Sequence, residues 1–255
     1  MRIVALYKIW RGNEFLIPSI HSIYNHVQKI VFVSSDLSWL GEQGNNTLET
    51  VKKWKQDSDR MDKIDILHYN TMSQHDQYQC GFDHINKNYS DCDWIQLIDS
   101  DEVWTEAAWF HSIKFMESTN KFNALHCVMV SYIKKINYTI EGNEVQPVVF
   151  VKPAKCNIGV RSCSVEPYAV IPDAVVHHFA LVRKTPEEVF HKIKTNVAGE
   201  EVNTKLVNLD VWKKEVWDEL PKGKCYHYFK GCDSTWLRFK EVAIESVPYT
   251  CRGII

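Results

Sequence analysis

Residues 99–102 read Asp-Ser-Asp-Glu and close the apolar run Trp94-Ile95-Gln96-Leu97-Ile98. Three carboxylates within four residues repel one another unless a cation or hydrogen-bond donors compensate. A hard divalent ion with oxygen ligands, Mg2+ or Mn2+, answers that need and would also carry a diphosphate. Asp99 and Asp101 are therefore the candidate metal ligands. A polar turn whose aspartate caps the next helix would show the same letters, so context has to weigh. An apolar strand ends directly in the acids, Trp104 follows them, and open α/β sheets bind ligands beyond the carboxyl ends of their strands.

The elements that must position these acids alternate in type. Residues 2–9 and 29–34 read as strands, and so do 64–67 and the run before Asp99. Between them, Asn13 can cap a helix to about residue 27 and Thr47 one to about 56. A polar helix is predicted over 74–89, and Thr105 can cap another to about 117. This order argues a mainly parallel sheet covered on both faces. Strands are predicted over 124–133, 146–152 and 175–182. Thr185-Pro186-Glu187-Glu188 starts a helix, with a cap, a proline at the first position and acids at the positive end of the dipole. Residues 209–217 form a further helix candidate. No repeat or linker divides the 255 residues, which are read as one domain.

The net charge of −2 gives no field for nucleic acid. No run approaches the roughly 18 apolar residues of a membrane span, and no export segment is visible, so a cytoplasmic protein is expected. Eight cysteines without a Cys-x-x-Cys pair read as reduced packing residues. Neither Gly-x-Gly-x-x-Gly nor a P-loop run occurs, which argues against dinucleotide oxidoreductases and P-loop enzymes.

The segment Asp93-Trp94-Ile95-Gln96-Leu97-Ile98-Asp99-Ser100-Asp101-Glu102 resembles the Asp-x-Asp strand of GT-A-fold glycosyltransferases, in particular their family 2-like branch. Ala5 to Glu14 is similar to that family's opening strand and Asn-Glu turn, and Ile30 to Asp36 to its second strand. The resemblance covers roughly residues 1–200. It implies a GT-A (Rossmann-like) sheet, with a nucleotide-binding half over 1–104 and an acceptor-binding half over 105–255. The implied reaction is metal-dependent sugar transfer from a nucleoside-diphosphate sugar to a glycan, lipid-linked or protein acceptor.

Position by position, the resemblance implies that Asp101 binds metal and that Asp99 holds metal or ribose. Asp36 would lie near the base- or ribose-binding acid, although the family's Asp-Asp-Gly-Ser turn is here Ser34-Ser35-Asp36-Leu37. Asn13 and Glu14 would sit at the mouth of the nucleotide pocket, with Gln77, or else Gln74 or Gln79, crossing it. His178 or His177 would add a metal ligand. Arg183, Lys192 and Lys194 would neutralise the leaving diphosphate. Glu166, Asp173, Glu200 and Glu201 are the candidate bases. The alternatives are a nucleotidyltransferase, with its parallel sheet and metal-bound acids, and a carbohydrate-binding protein with a degenerate transferase fold. Against the former, Gly12 is the only glycine in residues 5–14.

Overall fold

The computed structural model describes residues 1–37, 42–44, 46–71, 73–141, 146–153, 161, 165–195, 209–218, 220, 224–225 and 237–254. The chain clusters into two compact units. The first comprises residues 1–128 and 146–176, the second 129–145 and 177–255.

The first unit is built on strands β1 (Ile3–Ile9), β2 (Lys29–Leu37), β3 (Ile64–Thr71) and β4 (Trp94–Ile98). Helices α1 (Asn13–Ile23), α2 (Thr47–Ser58) and α3 (Gln74–Asn88) connect them in turn. β1 pairs in parallel with β2 on one side and with β4 on the other, and β2 pairs in parallel with β3. β5 (Glu102–Trp104), α4 (Glu106–Ser118), the start of β6 (Ala124–Ile133) and β8 (Val148–Val151) complete the layer, with β8 antiparallel to both β4 and β6. The expected mixed, mainly parallel sheet flanked by helices is what the chain forms.

Alternation along β1 decides what each face packs against. Ala5, Tyr7 and Ile9 join Leu16 and Ile20 of α1, Val51 of α2 and Trp109 of α4 in one core. Val4 and Leu6 join Tyr78, Phe82 and Ile85 of α3 in the other. Helix α3 comes close because residue 81 is glycine: a Cβ there would stand 2.3 Å from Leu6 Cδ1. Side-chain caps start α4 and α3, whereas Asn13 and Thr47, expected as caps, are the first residues inside α1 and α2. Thr105 Oγ1 accepts from the Ala108 N–H at 3.1 Å, and Ser73 Oγ from the Asp76 N–H at 3.1 Å.

The second unit holds the end of β6, β7 (Tyr138–Glu141) and β11 (Leu237–Glu241), with β11 antiparallel to both β7 and β10 (Lys224–Cys225). It also holds the end of β9 (Tyr168–Leu181), α5 (Pro186–Thr195) and α6 (Leu209–Trp212), which runs on into a π-helical turn over Lys213–Trp217. Thr185 caps α5, its Oγ1 accepting from the Glu188 N–H at 3.3 Å. β9 begins seven residues before its sequence-predicted start at 175, and Asp173 within it has φ 58°. Cys80, Cys92, Cys127 and Cys251 are free thiols. No helix among the described residues is long and apolar enough to cross a membrane.

Candidate functional site

The chain continues from β1 to β2 on one side, while β4 returns on the other. The carboxyl ends of β1 and β4 therefore form the topological switch point, where open sheets leave a crevice. The register pairs Tyr7 with Ile98, both in the α1-side core. One residue further, Lys8 and Asp99 meet on the α3 side. Lys8 Nζ donates to Asp99 Oδ1 at 2.7 Å. Arg161 Nη1 donates to Asp99 Oδ2 at 3.3 Å and to Glu102 Oε1.

Backbone and aromatic groups hold these charges in place. Arg161 Nε donates to the Val148 carbonyl at 3.1 Å, and the Val148 N–H donates to the Arg161 carbonyl at 3.0 Å, so β8 fixes the arginine from both sides. The Lys8 ammonium stands 5.5 Å from the centre of the Tyr78 ring. The acid turn closes on itself: the Glu102 N–H donates to the Asp99 carbonyl at 3.1 Å, and the Asp99 N–H to Glu102 Oε2 at 3.3 Å. The loop after β1 lies directly against this turn. Gly12 has φ 135°, and a Cβ there would come within 2.3 Å of Ser100 Oγ.

Electrostatics follow from these contacts. Burial works against the charge on Asp99, but Lys8 and Arg161 outweigh it and hold the carboxyl down at about 2. Burial likewise disfavours both cations, while Asp99 and Glu102 push the Arg161 pKa upward and Asp99 does the same for Lys8. Burial raises the Tyr78 phenol, so its hydroxyl stays protonated. Two donors in this cluster, the Tyr78 hydroxyl and Arg161 Nη2, are buried and make no hydrogen bond among the described residues.

The residues singled out from sequence are dispersed. Asp101 is buried, 2% exposed, within the acid turn. Asn13 starts α1 and donates through Nδ2 to Asn46 Oδ1, with Glu14 in the same first turn. Asp36, at the end of β2, faces His68 Nε2 at 3.4 Å. Gln77 is buried and donates to Ser35 Oγ at 3.0 Å, while Gln79 bonds Asp83 along its own helix at 2.9 Å. Glu166 and Asp173 are exposed in the first unit.

His177, His178, Arg183 and Lys192 belong to the second unit. There the His177 ring bonds the Tyr132 hydroxyl at 2.7 Å, and burial lowers its pKa to about 4. His178 Nδ1 lies 3.5 Å from Ser131 Oγ, and Arg183 is buried. Glu200 and Glu201 lie outside the described residues, as does the side chain of Lys194.

Sequence reasoning missed both cations. Lys8 carried a signal, as the one charged residue within an apolar first strand. Arg161 carried none, because only its pairing with β8 brings it to the acids. The arrangement also fits the expected Mg2+ or Mn2+ poorly. Both Asp99 oxygens and Glu102 Oε1 already face cations, and no group of three or more His, Cys, Asp or Glu side chains gathers among the described residues.

No protein-family model and no curated protein matches the sequence. Among solved structures, the chain is similar to 4-diphosphocytidyl-2C-methyl-D-erythritol synthase from Anaerococcus prevotii. The identity is 10% and the TM-score 0.42, over 75% of this chain and 96% of that one. It is also similar to the bifunctional IspDF from Campylobacter jejuni, at 7% identity and a TM-score of 0.36, over 61% of this chain. That match spans 42% of the IspDF chain. Likeness this remote carries no activity across.

The expectation of glycosyl transfer is corrected at this point. Asp99, one of the two aspartates expected at a metal diphosphate, is instead closed into ion pairs with Lys8 and Arg161.

Proposed function

We propose that the crevice between the ends of β1 and β4 binds the phosphates of a nucleoside triphosphate, and that the chain is a nucleotidyltransferase. One observation carries this reading. Two largely buried cations, Lys8 and Arg161, are presented together at the switch point, and the guanidinium keeps an N–H group that no acceptor among the described residues uses. Buried cations on rigid strands are aimed before the ligand arrives, so they stabilise charge with little reorganisation. Asp99 orients both of them. A phosphate oxygen entering beside Asp99 would meet donors already in place.

In the proposed reaction, an acceptor oxygen attacks the α-phosphorus of the triphosphate. The new P–O bond forms as the bond to pyrophosphate breaks, and any proton on the acceptor passes to water. Lys8 and Arg161 bind the phosphates and offset the charge that builds on the leaving pyrophosphate. The glycine turn at Gly12 supports the reading sterically, since it lets backbone approach the acid turn where a side chain would stand.

The test is calorimetric titration with CTP, UTP, ATP and GTP, beside UDP- and GDP-sugars, followed by a pyrophosphate-release assay over hydroxyl and phosphate acceptors. CTP heads the panel because the Anaerococcus prevotii protein is named for a diphosphocytidyl compound. Triphosphate binding with pyrophosphate release is the expected result. Binding of no triphosphate, or turnover of a nucleotide sugar alone, would overturn the assignment.

A further inference from the structure

Tyr78 stands in the first turns of α3, with its ring in the α3-side core beside Leu6 and Leu97 and under the Lys8 ammonium. The residue is 1% exposed, yet its hydroxyl makes no hydrogen bond among the described residues. A phenylalanine would fill the same space without the penalty of a buried, unused hydroxyl. Arg161 Nη2 is in the same condition. Its Nε and Nη1 are satisfied by Val148, Asp99 and Glu102, while Nη2 is buried without an acceptor among the described residues.

The two idle donors belong to one cluster. Lys8 touches the Tyr78 ring on one side and Asp99 on the other, and Arg161 shares Asp99 with it. The Tyr78 hydroxyl lies in the field of Lys8, Asp99, Arg161 and Glu102. Donors that a fold leaves unused at high cost mark a place where another molecule supplies the acceptor. A neutral carbonyl would satisfy one of them. An anionic oxygen suits a protonated phenol, a guanidinium N–H and a nearby ammonium together.

We propose that the Tyr78 hydroxyl and Arg161 Nη2 jointly hold one non-bridging phosphate oxygen, making Tyr78 a ligand-binding residue of the crevice. This rests on the reading of the crevice as a phosphate site and adds to it the group that seats the phosphate.

The experiment compares wild type with Tyr78→Phe and Arg161→Lys, using calorimetry with CTP and with inorganic pyrophosphate, and thermal unfolding without ligand. Tyr78→Phe keeps the ring beneath Lys8 and removes only the hydroxyl. Its free form should melt at or above the wild-type temperature, while both ligands bind about tenfold more weakly, the loss that follows removal of one hydrogen bond to a charged group. Arg161→Lys keeps the charge but not Nη2, and should weaken both ligands at least as much. Wild-type affinity in Tyr78→Phe would overturn the role of Tyr78 and leave the crevice reading standing. If wild type binds neither CTP nor pyrophosphate, the crevice reading falls and takes this inference with it.

Discussion

His177 was a candidate metal ligand by sequence, and the structure gives it a different and measurable signature. Its ring stacks on Tyr132, centroids 5.8 Å apart, and bonds the Tyr132 hydroxyl. Burial alone lowers its pKa from 6.5 to about 4. The folded state therefore refuses a proton that the unfolded chain accepts below pH 6.5. Stability from this residue is fully present above that pH and is lost as pH falls toward 4. The shift is 6.5 − 4 = 2.5 units, and at about 1.36 kcal/mol per unit the full loss is roughly 3 kcal/mol. At pH 5 about 2 kcal/mol is gone, a ceiling because the ring keeps part of its surface in water. Tyr132 stays neutral over this range, since burial raises its phenol further.

The assay is urea unfolding of wild type and His177→Gln at pH 7.5 and pH 5, with and without a chelator. The wild-type advantage over the variant should shrink by up to about 2 kcal/mol between the two pH values, identically in both buffers. A pH-independent difference would refute the burial argument. A pH effect that disappears with chelator would return His177 to the metal role expected from sequence.

Two further outcomes follow from the crevice. Lys8→Met leaves Asp99 with Arg161 as its one remaining cationic partner in the cluster. Its carboxyl should titrate above its present value of about 2, the fold should lose about 1–3 kcal/mol at pH 7, and triphosphate binding should fall sharply, read by calorimetry and urea unfolding. Gly12→Ala places a Cβ 2.3 Å from Ser100 Oγ at φ 135°, and should cost roughly 2 kcal/mol or more. Adding Ser100→Ala should recover only part of that loss, because the backbone strain remains; full recovery in thermal unfolding would show that the turn tolerates a side chain.

Much of the element order was legible from sequence because its signals are local. The apolar strands at β1, β2 and β4 appear where the short runs place them, and Thr105, Thr185 and Pro186 start helices where their caps predict. These features depend on neighbours within a few residues, so the chain announces them by itself. Boundaries set by packing were less visible. Helix α1 stops at Ile23, short of residue 27, and residues 213–217 widen into a π turn.

The acid cluster was visible as well; what neutralises it was not. Asp99, Asp101 and Glu102 stand together in sequence, so their mutual repulsion can be read directly. Their partners arrive from elsewhere: Lys8 through the parallel register of β1 with β4, 91 residues away, and Arg161 through its bonds to Val148 of β8. Charge density is a property of the chain, whereas the identity of the countercharge is decided by strand order and register. Sequence alone therefore determined that a cation or hydrogen-bond donors must answer the acids at this strand end, and only the tertiary structure decided that lysine and arginine do so.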